Sequence, residues 1–287
     1  MSDPSTVPLL TPEEIAETRA NLEAFADRVV HAPGTEVEDA TIGGRPGLRV
    51  TPASGGTRGT GLFLHGGGYR AGGPRGAVGV GSHLAAEADL QLLLPAYRLA
   101  PEHPFPAAVY DVVAALAQLA EQEEDPARRV LVGESAGGGL AVAGLLAARA
   151  AGISPPGALV LLSPWLDLTA ASESYERCAE TDEIISRPTS LRSAAAYLDG
   201  GDPRDPLASP LFASDEALAA LPRTLVQVGE AEVLIDEGVE FARRASEAGG
   251  TTLLETWAGV GHCWHVAVPD GGPADAAIAR IGIYLES

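Results

Sequence analysis

A single serine stands between glycines where an apolar run gives way to an alanine-rich segment. In VLVGESAGGGLAVAGLL, residues 130–146, Ser135 lies two positions after Gly133 and two before Gly137. The run before it is typical of a buried strand and the segment after it of a helix, which places the serine at the carboxyl edge of a sheet. G-x-S-x-G at such a turn is typical of a serine nucleophile, because side chains on the flanking positions would collide.

A second glycine motif supports this interpretation. The chain has 34 glycines, so a glycine-rich turn without chemistry is the alternative explanation for the serine motif alone. HGGGYRAGG, residues 65–73, directly follows the apolar run GLFLH. Without Cβ atoms in the way, the backbone N–H groups of Gly67 and Gly68 can approach a substrate oxygen closely. Together with the N–H of Ala136, they are predicted to form an oxyanion hole.

A histidine base should follow the serine and an acid along the chain in this type of site. After Ser135 only His262 and His265 occur, both in AGVGHCWHV, beyond the last predicted strand. His262 directly follows a glycine in the expected loop and is the preferred base. The rival interpretation is an H-x-x-H metal pair. It lacks the glutamate of H-E-x-x-H and lies on a glycine-rich loop, so we expect no metal there.

The acid should come from GEAEVLIDEG, residues 229–238, which follows the predicted strand TLVQVG. The candidates are Glu230, Glu232, Asp236 and Glu237. The acid must reach the ring nitrogen that faces away from the serine. Glu232 lies close to the strand end, whereas Asp236 is expected to cap the next helix. Position alone leaves these two nearly equal.

Alternating strands and helices are predicted to carry these motifs. A helix from Thr11 and a hairpin turning on Gly43 and Gly44 come first. Residues 165 to about 222, which include a helical piece at RPTSLRSAAAYL, interrupt the later alternation of strands and helices and are predicted to be an inserted cap. The alternation predicts a mostly parallel sheet with helices on both faces. The apolar runs are GLFLH (61–65), LQLLLPAY (90–97), VLVG (130–133), ALVLLS (158–163), TLVQVG (224–229) and TTLLETW (251–257).

Composition excludes several classes of function. With 287 residues, 46% of them hydrophobic, the chain can bury one large core, and its net charge of -20 argues against nucleic acids and anionic membranes as partners. All 19 basic residues are arginines, which excludes a Schiff-base lysine, a P-loop lysine and a Ser-Lys dyad. Cys178 and Cys263 make no disulfide framework, and no signal peptide or apolar run of ~20 residues is recognised. We therefore expect a cytoplasmic protein.

These motifs resemble the bacterial hormone-sensitive-lipase-like (family IV) carboxylesterases of the α/β-hydrolase superfamily. The likeness runs from about Gly61 to His265. HGGG (65–68) resembles the oxyanion-hole motif, and GESAGG (133–138) resembles GDSAGG with Glu134 in place of aspartate. Three further segments resemble the family pattern: YRLAPEHPFPAA (97–108), SPWLDLT (163–169) and DPLASPL (205–211).

The resemblance implies roles for individual residues. GEAEVLIDEG aligns with G-x-x-D-P-L-x-D-E-G, which places Glu232 where the family has its catalytic aspartate. AGVGHCWHV resembles an H-x-W-H ending whose first histidine, here His262, is catalytic. Because glutamate is one methylene longer than aspartate, Asp236 stays open as the alternative acid.

The fold implied is an α/β-hydrolase spanning residues 1–287 as one domain. The cap would come from about 1–40 and 165–215, and the core from about 41–164 and 216–287. The activity implied is hydrolysis of short- to medium-chain acyl esters through an acyl-enzyme, with a small-molecule ester as partner, no cofactor, and often a homodimer. Lactone or amide hydrolysis on the same residues is the alternative; a ligand-binding relative without turnover is disfavoured by the presence of His262.

Overall fold

One eight-stranded sheet forms the centre of the computed structural model, which describes residues 7–286. The spatial order of the strands is β1-β2-β4-β3-β5-β6-β7-β8. Their bounds are β1 (Glu36–Ile42), β2 (Arg45–Thr51), β3 (Gly59–Leu64), β4 (Leu90–Pro95), β5 (Arg129–Glu134), β6 (Ala158–Leu162), β7 (Arg223–Gly229) and β8 (Thr252–Trp257).

The mostly parallel sheet predicted from the sequence is confirmed. β1 and β2 form the predicted hairpin, whose turn residues Gly43 and Gly44 have φ values of 56° and 75°. β2 also pairs antiparallel with β4, while all pairs from β4 through β3 to β8 are parallel. Parallel neighbours need crossover connections, which the helices between the strands provide.

Helices cover both faces of the sheet, as the continuous apolar runs predict. Along β5, Leu131 belongs to the apolar core that also contains residues of α3, α4 and α8, whereas Val130 and Val132 belong to the core that contains residues of α2 and α9, on the opposite face. The helices are α1 (Pro12–Ala26), α2 (Pro74–Ala88), α3 (Ala107–Gln122), α4 (Ala136–Ala150), α5 (Ser174–Arg177), α6 (Arg187–Leu198), α7 (Asp215–Ala219), α8 (Ile235–Glu247) and α9 (Pro273–Glu286).

Helix α1 starts where the sequence predicts, directly after Thr11. Thr11 caps it, accepting a hydrogen bond from the Glu14 N–H and donating its own N–H to the Glu14 carboxylate. After Ala26 the chain turns to pack on α2, where the N–H of Ala32 donates to Ser82 Oγ at 2.9 Å. No prediction covered residues 273–286, which form α9.

The segment between β6 and β7 holds three helices, α5 to α7, and lacks a strand throughout its described length. Helix α6 contacts α1 and the residues before it: Arg192 donates to Glu14 Oε2 at 2.6 Å and to the Pro8 carbonyl at 3.1 Å. The N-terminal helix and α6 therefore lie against each other. Residues 1–6, part of the expected cap, lie outside the described range.

Strand register brings four loops to one edge of the sheet. Leu64 pairs with Gly133, Glu134 with Leu162, Leu162 with Gln227, and Gly229 with Trp257, so β3, β5, β7 and β8 end at the same edge of the sheet, with β6 between β5 and β7. The glycine motif, the serine turn, the acidic loop and the histidine loop follow these four ends directly.

Candidate active site

Ser135 occupies the strained turn that its glycine neighbours predict. Its backbone has φ 53° and ψ -121°, between the end of β5 and the start of α4. A Cβ on Gly133 would lie 2.3 Å from the Gly137 carbonyl oxygen, and one on Gly137 would lie 2.1 Å from that of Leu64. These contacts involve backbone atoms that cannot move aside. Glycine is therefore required at both positions for the serine to reach the sheet edge.

His262 links the serine to one carboxylate. Ser135 Oγ lies 2.9 Å from His262 Nε2, and His262 Nδ1 lies 2.8 Å from Glu232 Oε2. The other oxygen of Glu232 accepts a hydrogen bond from the Gly229 N–H at 2.8 Å. Because the carboxylate only accepts, Nδ1 carries the ring proton and Nε2 is free to accept the proton of the serine.

The electrostatics of His262 are dominated by two opposing effects. Burial by itself lowers the pKa of the imidazole, because it disfavours the charged form. The hydrogen bond to Glu232 and the negative charge of that carboxylate outweigh burial, and the pKa of His262 is raised above its ordinary value. The arrangement thus favours the imidazolium, which is the form a base adopts after taking a proton.

The other three candidate carboxylates lie elsewhere. Asp236 accepts from the Ser174 N–H at 2.8 Å and pairs with Arg177, so it holds α5 against α8. The expectation that it caps α8 is wrong: the cap residue is Leu234, and Asp236 lies inside the first turn. The two other carboxylates are Glu237, which is buried and accepts from the N–H groups of Leu166 and Asp167, and Glu230, which is exposed.

His265 is directed away from the serine. Its Nε2 lies 3.0 Å from Gln227 Oε1 within the sheet region. Burial lowers the pKa of His265 to about 3, so it stays neutral. Among residues 7–286 no group of three or more histidine, cysteine or acidic side chains is arranged to hold a metal ion.

The glycine loop leaves backbone donors beside the serine. Gly67 has φ +120°, and a Cβ there would lie 2.1 Å from the Ala71 carbonyl oxygen. The Gly66 N–H is occupied, since it donates to Glu134 Oε2 at 3.3 Å. The N–H groups of Gly67, Gly68 and Ala136 have no hydrogen-bond acceptor among residues 7–286. They are therefore free to bind an oxyanion.

Aromatic packing and an ion pair brace this loop. Tyr97 stacks on His65 with ring centroids 4.2 Å apart and donates to the His65 carbonyl at 2.7 Å. Burial lowers the pKa of His65 to about 4, which keeps it an uncharged anchor. Next to Tyr97, Arg98 forms a two-pronged pair with Asp111 at the start of α3.

Three supporting residues had no role in the sequence predictions. Ser163 Oγ accepts from the Cys263 N–H at 3.1 Å and fixes the histidine loop. Asp182 accepts from the Val233 N–H at 2.9 Å and fixes the loop that carries Glu232. Cys263 has its sulfur 3.3 Å from His262 Nε2. Only Cys263 had a signal, its position beside the histidine.

Comparison with known proteins identifies the family of this chain. The model of the family described as alpha/beta hydrolase fold matches residues 61–266. A solved esterase from the bacterial hormone-sensitive lipase family is 39% identical, with a TM-score of 0.90 over 98% of this chain and 93% of its own. The chain belongs to the bacterial hormone-sensitive lipase family of α/β-hydrolases.

The curated relatives of this hormone-sensitive lipase family member carry the names of hydrolases. An acetyl-hydrolase of Streptomyces hygroscopicus is 40% identical over 96% of this chain and 89% of its own length. An esterase of Acinetobacter venetianus is 31% identical over 78% of this chain and 75% of its own.

Both cysteines of this chain are free thiols. Within residues 7–286 none of the helices is long and apolar enough to cross a membrane.

Proposed function

We propose that the protein is a serine carboxylesterase that hydrolyses short- to medium-chain acyl esters through a covalent acyl-enzyme. One observation carries the proposal: His262 is within hydrogen-bond distance of both Ser135 and the buried Glu232, at the carboxyl edge of a parallel sheet. The names of the relatives, acetyl-hydrolase and esterase, support an ester or acetyl substrate.

The first half of the reaction acylates the serine. Ser135 Oγ attacks the ester carbonyl carbon while His262 Nε2 takes the hydroxyl proton. The carbonyl oxygen becomes an oxyanion, held by the N–H groups of Gly67, Gly68 and Ala136 and by the N-terminus of α4. The imidazolium then gives its proton to the alkoxide oxygen, the C–O bond breaks, and the alcohol leaves.

The second half returns the enzyme to its starting state. His262 takes a proton from water, whose oxygen attacks the acyl carbon, and the same N–H groups hold the second oxyanion. The ester bond to Ser135 breaks, the serine oxygen recovers its proton from the imidazolium, and the carboxylic acid leaves. Glu232 orients the ring and stabilises its charged form throughout.

Glu232 fits this role despite its extra methylene. One of its oxygens bonds back to the Gly229 N–H of its own loop, which leaves the other pointing at the histidine. Asp182 holds the neighbouring Val233 N–H, so the loop is fixed on both sides of the acid. The longer side chain is thereby accommodated by folding back on its own backbone.

We also propose that the chain up to about residue 40 and residues 165–215 form a cap over the core of about 41–164 and 216–287, with the N-terminal boundary falling within β1. The Arg192–Glu14 pair, which joins α6 to α1, supports a single unit made from both parts. The cytoplasmic location and the homodimer stay predictions from the sequence; sedimentation of the purified protein measures the second.

The deciding experiment measures hydrolysis of p-nitrophenyl acetate and p-nitrophenyl octanoate by the wild type, Ser135→Ala, Glu232→Gln and Asp236→Asn. We expect turnover that favours acetate, its loss in Ser135→Ala, and a much larger loss in Glu232→Gln than in Asp236→Asn. A damaging Asp236→Asn would show that the acid is wrongly assigned. A wild type that turns over neither ester, and is not labelled by a serine-directed sulfonyl fluoride, would refute the proposal.

A further inference from the structure

Arg70 follows the oxyanion loop directly and lies between that loop and the cap. A Cβ built on Gly68 would be 3.3 Å from Ser193 Oγ and 4.0 Å from Arg70 Nε. Arg70 Nε donates to the same Ser193 hydroxyl at 2.9 Å. Ser193 belongs to α6, so the guanidinium occupies the gap between Gly68 and the helix that lies over it.

This guanidinium has no carboxylate partner in the described part of the chain. Its Nη1 is fully buried and makes no hydrogen bond to any of residues 7–286, and its Nη2 donates to none of them either. The two neighbouring arginines are neutralised: Arg19 pairs with Glu102 at 2.7 Å, and Arg192 pairs with Glu14 at 2.6 Å. The chain has 39 acidic residues, and among residues 7–286 none of them forms an ion pair with Arg70.

The surroundings of Arg70 make its charge costly. Burial lowers the pKa of the guanidinium, the neighbouring Arg192 lowers it further, and Glu14 offsets this only in part. Arg19 adds a third positive group, since its Nε donates to the Arg70 carbonyl at 2.8 Å. A partly desolvated cation without a counter-ion costs free energy, and a bound anion would recover it.

We infer that Arg70 is a specificity determinant that binds a carboxylate carried by the ester substrate. The inference rests on the proposed function, because it places the anion beside the oxyanion loop while the ester carbonyl faces Ser135. Neither Nη1 nor Nη2 has a hydrogen-bond partner among residues 7–286. Their N–H groups are parallel donors, the geometry in which a guanidinium binds a carboxylate in two-pronged fashion. The carboxylate belongs either to the acyl part or to the alcohol part of the ester. Esters that carry the carboxylate on one part or the other distinguish these two cases.

Two matched pairs of esters test the inference through kcat/KM. The acyl pair is mono-p-nitrophenyl succinate against p-nitrophenyl valerate, and the alcohol pair is 3-acetoxybenzoate against 3-acetoxybenzamide. We expect the wild type to prefer the charged member of one pair. Arg70→Met should lower kcat/KM for that member by about tenfold or more, the usual effect of losing a charged hydrogen bond, and change its neutral partner far less.

Two further variants separate charge recognition from structural support. Arg70→Lys keeps the charge without the two-pronged geometry and should retain part of the preference. Arg28→Met removes one positive charge from an exposed site and should leave the preference unchanged. If Arg70→Met slows the charged and neutral esters equally, Arg70 only supports the loop and the inference is wrong. No preference for either charged ester in the wild type also overturns it.

A measurement on the wild type alone covers the case in which Arg70→Met does not fold. Glutarate should inhibit p-nitrophenyl acetate hydrolysis competitively and more weakly as NaCl is raised, whereas glutaramide should not. Inhibition by neither compound would contradict the inference. Failure of the proposed function looks different, because p-nitrophenyl acetate itself would then not be hydrolysed.

Discussion

At the scale of single residues, the pKa of His262 links structure to rate. The base must be neutral to accept the serine proton, so kcat/KM should rise as the pH rises through the pKa of the imidazole. Glu232 raises that pKa above its ordinary value of 6.5, so the midpoint of the rise should lie above pH 6.5 in the wild type.

Replacing Glu232 by glutamine should change both the rate and this midpoint. The variant keeps the shape of the side chain but loses the charge, which leaves burial as the dominant effect on the histidine and moves the midpoint to lower pH. The loss of orientation and of charge stabilisation should lower kcat/KM by at least about a hundredfold. A pH–rate profile with p-nitrophenyl acetate measures both changes, and an unaltered midpoint would contradict the assigned cause. Asp236→Asn is the control, since Asp236 contacts Ser174 and Arg177 and not the histidine.

At the scale of elements, the turn from β5 to α4 depends on the absence of side chains. Gly137→Ala would place a Cβ 2.1 Å from the backbone oxygen of Leu64 and 2.5 Å from that of His65. Leu64 is the last residue of β3, and His65 opens the oxyanion loop that follows it. We expect a loss of about 3 kcal/mol or more in the free energy of unfolding, because overpacking against immobile backbone displaces a whole strand. Urea denaturation followed by circular dichroism measures it.

Gly76→Ala is the matched control for that substitution. Gly76 lies in α2, where an added Cβ meets no atom within 4 Å among the described residues. Alanine is favoured over glycine in a helix, so this variant should be at least as stable as the wild type. Equal stability of the two variants would show that the turn is more adaptable than its geometry indicates.

Local patterns explain why much of the site was predictable and part of it was not. Ser135, His262 and the glycine loop each stand in a short motif beside a strand end, and parallel strands bring such ends together. Ser163 and Asp182 act across 100 and 51 residues of chain, so no local pattern reveals them. The same limit applied to Asp236: its neighbours in sequence suggested a helix cap, whereas its partner Arg177 comes from another segment.

At the scale of the whole molecule, arginine pairs join segments that lie far apart in sequence. Arg19 connects α1 to Glu102 in the loop before α3, and Arg192 connects α6 to α1. Such exposed or half-exposed pairs contribute little stability individually. Their effect is to fix the positions of the N-terminal helix and α6 on the rest of the molecule, and so to set the surroundings of Arg70.

Two buried neutral histidines should make the fold sensitive to mild acid. The pKa of His65 is lowered to about 4 and that of His265 to about 3, both by burial. Below about pH 6.5 the unfolded chain binds protons that the folded chain does not, so stability falls with pH until the folded values are reached. Each histidine removes as much as about 3 kcal/mol by pH 4. His262 acts in the opposite sense, since its raised pKa gives a contribution that is lost above its folded value.

Urea unfolding at a series of pH values from 7.5 to 4 measures this slope. His265→Gln keeps a side-chain amide within reach of Gln227 and removes one titrating group, so it should reduce the loss of stability between pH 6.5 and 4 by as much as about 3 kcal/mol. His31→Gln, on the exposed N-terminal segment, should leave the slope as it is. The acidic residues titrate in all three proteins alike, and the difference between the two variants therefore isolates the buried histidine. An equal slope in His265→Gln and the wild type would show that His265 does not contribute to the acid sensitivity.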